Sequence, residues 1–158
     1  MPLALDWQNQ SNIDDQVAAL RGLLVTQSAF NANLSDMRPL LEIFERKLGE
    51  ILNEDGGHIS RRPETHFKVM TQLFECRVAV SQAGISDVQS LDHMLTKMGA
   101  IAKMWRSGNG NFAHFHGGGI TPADRIDDVV KRCLYVSLPY WVNLHLKGTF
   151  FCSFCHNL

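Results

Sequence analysis

The chain lacks an excess of charge of either sign: 15 Lys and Arg stand against 16 Asp and Glu, for a formal net charge of −1. The two signs are interspersed, so there is no basic stripe to follow a nucleic-acid backbone or an anionic membrane, and neither is an expected partner. Long apolar runs are missing too. The most apolar stretch is broken by Pro139, Asn143, His145 and Lys147, short of the roughly 20 residues that a membrane helix needs. Met1 to Trp7 carries neither a basic n-region nor a long apolar h-region, so no secretory signal is read there and the cytoplasm is the default location. Cysteine is sparse: Cys76, Cys133, Cys152 and Cys155 are too few and too irregular for a disulfide framework. Cys76 and Cys133 fall in helical patterns and read as small buried hydrophobes.

Alternating strand patterns are also absent before residue 134, and an all-α fold is expected. What is present is helical spacing. Ile13, Val17, Leu20, Leu23 and Leu24 form one stripe over Ile13 to Gln27, with Asn12 as N-cap and Asp14 and Asp15 at the positive end of the helix dipole. Ser35 or Asp36 caps a second helix that turns Leu40, Leu41, Phe44, Leu48, Ile51 and Leu52 inward, with Pro39 placed in its first turn. Pro63 opens a third helix carrying Phe67, Met70, Leu73, Phe74, Arg77 and Val78, and Gly84 ends it. Ser86 or Asp87 caps a fourth, whose apolar face is Leu91, Met94, Leu95, Met98, Ile101, Ala102 and Trp105. Thr121-Pro122-Ala123-Asp124 starts a fifth, with Ile126, Val129, Val130 and Cys133 on one face. Residues 1–133 then make one helical domain of antiparallel hairpins.

Acidic residues stop at Asp128, and residues 134–158 crowd Tyr135, Tyr140, Trp141, Phe150, Phe151 and Phe154 without periodicity. An irregular tail of this kind is expected, and its composition points to a truncated or frame-shifted terminus.

Two glycine- and histidine-rich loops carry the chemistry, Asp55 to Arg62 and Gly108 to Gly119. In an up-and-down arrangement both fall at the same end. In the first, Gly56 and Gly57 let the backbone approach a ligand, His58 follows, and Arg61 and Arg62 suit a carboxylate or sulfate beside a helix N-terminus. The alternative is a plain C-cap and turn with solvated arginines and a locally packed His58. In the second loop, His114 and His116 lack a neighbouring Asp, Glu or Cys to complete a metal set, so no metal is expected and a proton-transferring histidine is the better functional reading. The alternative there is a surface loop that tucks Phe112 and Phe115 into the bundle. His66 and His93 read as surface or satisfied core residues, and Glu42, Glu45 and Glu50 as a solvated face shared with Arg46 and Lys47. Cys152-Ser153-Phe154-Cys155-His156 has the CxxCH form of haem attachment, but only Asn157 and Leu158 follow it, and no cofactor is assigned.

The run Asp55-Gly56-Gly57-His58-Ile59-Ser60-Arg61 with Pro63, then Gly108-Asn109-Gly110-Asn111-Phe112 and Thr121-Pro122-Ala123-Asp124, resembles the heparinase II/III-like proteins of bacteria over about Ile13 to Val130. In that group a DGGHISRNP element precedes a helical hairpin, and a looser glycine-rich element ending in Pro-Ala-Asp follows it. The resemblance implies part of an N-terminal (α/α) toroid, a missing β-sandwich domain, and β-elimination on uronic-acid polysaccharides. It implies His58 as neutraliser of the uronate carboxylate, His114 or His116 as base, and Arg61, Arg62 and Asn111 as contacts to an acidic polysaccharide or oligosaccharide. Family lyases are periplasmic. Residues 1–134 hold no tyrosine, so the family's tyrosine acid/base has no counterpart there. The expected function is a fragment of such a lyase, inactive alone; the alternative is a non-catalytic helical module that binds an anionic saccharide or a partner protein.

Overall fold

Asn12 starts the first helix as its composition requires: the side chain accepts from the Asp14 backbone N–H at 3.1 Å, satisfying one of the donors every helix start leaves open. In the computed structural model, residues 10, 12–30, 34–113 and 121–136 are described. They form five helices: α1 (Ile13–Ala29), α2 (Leu34–Ile51), α3 (Pro63–Gln82), α4 (Gln89–Met104) and α5 (Ala123–Val136). The fold is all-α, and among the described residues the non-helical pairing amounts to two isolated antiparallel bridges, Leu52 with His58 and Arg106 with Phe112.

Side-chain links set the helix directions. Asp14 meets His58 at one end of α1, and Ser28 Oγ donates to the Ala79 carbonyl at the other, so α1 and α3 run parallel. His66 bonds Met98, and Arg77 pairs with Asp92 at 2.9 Å, so α3 and α4 run antiparallel. α1 packs on both α2 and α3, and α4 on both α3 and α5. The buried apolar side chains of all five form one cluster that includes Leu20, Phe44, Met70, Leu95 and Ile126.

α3 departs most from a simple stripe. Its buried residues include Val69, Cys76, Ala79 and Val80, while Phe74 and Val78 are only half-buried. A helix with neighbours on several sides buries more than one face. Burial raises the thiol pKa of Cys76 and pushes that of Cys133 up to about 12, so both are inert hydrophobes.

Several helix boundaries differ from the sequence-based ones. α2 begins at Leu34, so Ser35 and Asp36 are inside it rather than capping it, and Pro39 lies beyond the first turn. Proline there removes the bond to the Ser35 carbonyl, which the exposed side of the helix leaves to solvent. Neither Ser86 nor Asp87 caps α4; its N-cap is Val88, with no side-chain bond. The reason lies upstream: Gly84 donates to Ser81 and Ile85 to Val80, a C-terminal wrap that carries Ile85 and Val88 into the core. Glu45 is half-buried, not solvated, and burial raises its carboxyl pKa. α5 continues to Val136, past the boundary drawn at residue 134. The rest of the expected tail, with Cys152 to His156, lies outside the described residues.

Candidate functional site

The first loop is a short hairpin rather than a loose turn. Ile59 donates to the Ile51 carbonyl, Asn53 to Gly57, and Gly56 back to Asn53. The second loop repeats the construction residue for residue: Ala113 donates to Trp105, Ser107 to Asn111, and Gly110 to Ser107. Asp55 Oδ1 accepts from the Gly57 N–H at 2.8 Å, and Asn109 Oδ1 from the Asn111 N–H at 3.1 Å. Gly56 and Gly110 both have φ of 85°, a conformation an L side chain enters only with strain. The two Asx-Gly turns therefore close the same hairpin twice, at one end of the molecule.

His58 occupies the position of Phe112 in this correspondence, and both point inward, 2% and 4% exposed. A histidine at an apolar position must find partners for its ring nitrogens. The Ser60 backbone N–H donates to Nδ1 at 3.1 Å and the Ser60 hydroxyl lies 2.7 Å from it, so Nδ1 is the acceptor. Nε2 then carries the proton and donates to Asp14 Oδ1 at 3.0 Å. The result is a clasp from the hairpin to the first turn of α1.

His66 lies directly beneath. Its Nδ1 accepts from the His58 backbone N–H at 3.3 Å, its Nε2 donates to the Met98 carbonyl at 2.9 Å, and its ring meets Trp105 edge-on at 5.0 Å. Phe67 meets Phe112 in the same manner at 5.7 Å. These contacts join the two hairpins. Burial, the largest cause, lowers the pKa of His66 to about 4, so the ring is neutral, as its acceptor role at Nδ1 requires.

Of the residues singled out in the sequence, Arg61 has φ of 53° and places Nη1 2.7 Å from Asp55 Oδ2. That guanidinium holds the Asp55 carboxyl below the usual carboxylate range. Arg62 is exposed at the N-cap of α3, beside the first hairpin. Asn111 is half-buried in the second hairpin, with its backbone committed to Ser107 and Asn109. His114 and His116 lie outside the described residues. Among the described residues no three His, Cys, Asp or Glu side chains converge as metal ligands.

A cleft of about 370 Å³ opens beside the pole, between α1, α3 and the start of α5. Arg21, Lys68, Gln72, Glu75 and Arg125 line it, with Phe67 and Pro122.

No family model and no solved structure matches the chain. A stretch of 86 residues is 29% identical to FtsZ-localized protein C of Caulobacter vibrioides. It covers 51% of this chain and 15% of that protein.

Four residues at these sites went unread in the sequence as site residues. Asp14, 44 positions from His58, carries no local sign of its role. Ser60 and His66 flank the Gly-Gly-His turn and Pro63, and a second histidine in the first helical turn after such a turn was an available signal. Gln72 interrupts the apolar run of Val69, Leu73 and Cys76 at helical spacing, which marks a polar group turned inward.

Proposed function

We propose that this chain is a non-catalytic helical docking module, which holds a partner protein at the hairpin end and turns nothing over. The state of His58 carries this reading. A histidine that neutralises a substrate carboxylate must present a ring nitrogen to it. Here both ring nitrogens already face Asp14 and Ser60, and the side chain is 2% exposed. Arg61 is likewise committed to Asp55. At the same end, Ile59 and Met104 stand 52% and 75% exposed, apolar surface of the kind that a protein partner covers. The likeness to an FtsZ-localized protein supports a partner of FtsZ's class.

Co-sedimentation of the full chain with assembled FtsZ tests the reading. The wild-type chain is expected in the pellet, and the Ile59→Asp, Met104→Asp double variant in the supernatant with its thermal midpoint unchanged. A wild-type chain that stays in the supernatant defeats the proposal.

A second reading is a piece of a heparinase II/III-like lyase, with the five helices as part of an (α/α) toroid and an acidic polysaccharide as ligand. The order of its motif elements, and two hairpins meeting at one end, favour it. It predicts new ultraviolet absorbance from unsaturated uronates on heparin, chondroitin or alginate, lost in the His58→Ala variant; a folded chain silent on all three leaves docking as the function.

A further inference from the structure

We infer that the cleft between α1, α3 and the start of α5 is a binding site for a small carboxylate bearing an adjacent hydrogen-bond donor, a hydroxy acid or an amino acid. This site lies beside the hairpin end and is independent of the docking role. At about 370 Å³ it has room for a monomer.

Gln72 gives the strongest indication. It is 8% exposed, lines the cleft, and its Oε1 accepts no hydrogen bond. Buried polar atoms in native proteins nearly always have partners, because an unmade bond forfeits the group's hydration. Arg21 repeats the pattern with the opposite polarity: Nη1 holds Glu75 at 3.0 Å, while Nε is buried and donates to nothing. Two residues that line the cleft thus each keep one buried polar atom without a partner, an acceptor on Gln72 and a donor on Arg21. Among the described residues, Lys68 and Arg125 take no ion-pair partner, so two cations remain at the cleft for an anion.

These leftovers define the ligand. Its carboxylate meets Lys68 and Arg125, and a neighbouring hydroxyl or ammonium donates to Gln72 Oε1. Phe67 and Pro122 supply apolar walls for its carbon skeleton. Glu64 and Glu75 also line the cleft; each negative charge on a ligand is repelled by them, so a chain of repeated charges is disfavoured more than a single carboxylate. A monomer is selected over a polyanion.

Heteronuclear NMR titration of the full chain tests this with three probes. D-Gluconate is the hydroxy acid, L-glutamate the amino acid, and propionate a carboxylate without the donor. Saturable shifts of the Gln72 side-chain amide with gluconate or glutamate, but not with propionate, are expected, and the probe that acts identifies the source of the donor. Gln72→Leu is expected to melt no lower than wild type, because an unmade acceptor is removed, and to bind about tenfold more weakly or worse. The Lys68→Met, Arg125→Met variant alters exposed side chains only and is expected to lose the same binding. No shift with either acid, equal binding of propionate, or undiminished binding by both variants would overturn the site.

Discussion

His66 shows at the scale of one residue how burial sets chemistry. Its folded pKa is lowered to about 4 from an ordinary 6.5, so between those values the unfolded chain binds the proton and the folded chain does not. The contribution of the neutral ring is therefore complete above about pH 6.5 and is lost as pH falls towards 4. Over that window the loss amounts to roughly 3 kcal/mol. Urea denaturation at a series of pH values should show stability falling through it, and His66→Gln should flatten that part of the profile while lowering stability above it. A profile equally steep in the variant would place the titration elsewhere. Both His58 and His66 are histidines on apolar sites, His58 satisfied by Ser60 of its own hairpin and by Asp14 of α1, and His66 by the His58 backbone and the Met98 carbonyl.

The twin hairpins belong to the scale of elements, and their glycines are not equivalent. A Cβ on Gly56 would lie 2.5 Å from Lys97 Cβ and 2.9 Å from the Lys97 backbone carbon, where the packed body of α4 cannot yield. On Gly110 the nearest atoms are the end of the Arg106 side chain at 3.0 Å and Ala123 Cβ at 3.2 Å, and the former can move aside. Both alanine variants carry the backbone strain of about 1–2 kcal/mol, and Gly56→Ala adds an overpacking cost of about 1–3 kcal/mol. Denaturant midpoints should rank wild type above Gly110→Ala and Gly110→Ala above Gly56→Ala; the reverse order would mean that the first hairpin does not rest on α4. Helix existence was legible here from spacing, as in Leu91, Leu95, Met98 and Ala102. Helix starts were less so. Ser86 and Asp87 have cap chemistry, yet the burial of Val88 outweighed it, since a cap is worth about 1 kcal/mol and burying a valine about 1.5–3 kcal/mol.

For the whole molecule, position in the packing order decides local stability. α3 touches α1, α4 and α5, whereas α5 rests chiefly on α4 and is tied to the second hairpin by Arg106, which bonds both the Gly110 carbonyl and Asp127. Native-state hydrogen exchange should therefore find α5 amides opening at lower free energy than those of α3. Arg106→Met should speed exchange in α5 and leave α1 to α3 unchanged; uniform protection in all five helices would contradict this order. Sequence by itself determined the all-α class, five amphipathic segments and two Asx-Gly turns, because helical periodicity, Pro63 and glycine chemistry act within a few residues. Tertiary structure alone decided which of those residues remain available to a ligand. Asp14 closes on His58, and Gln72 and Arg21, which line the cleft, each keep an unpaired polar atom, since hydrogen-bond satisfaction in a buried site depends on groups that the chain brings together from distant positions.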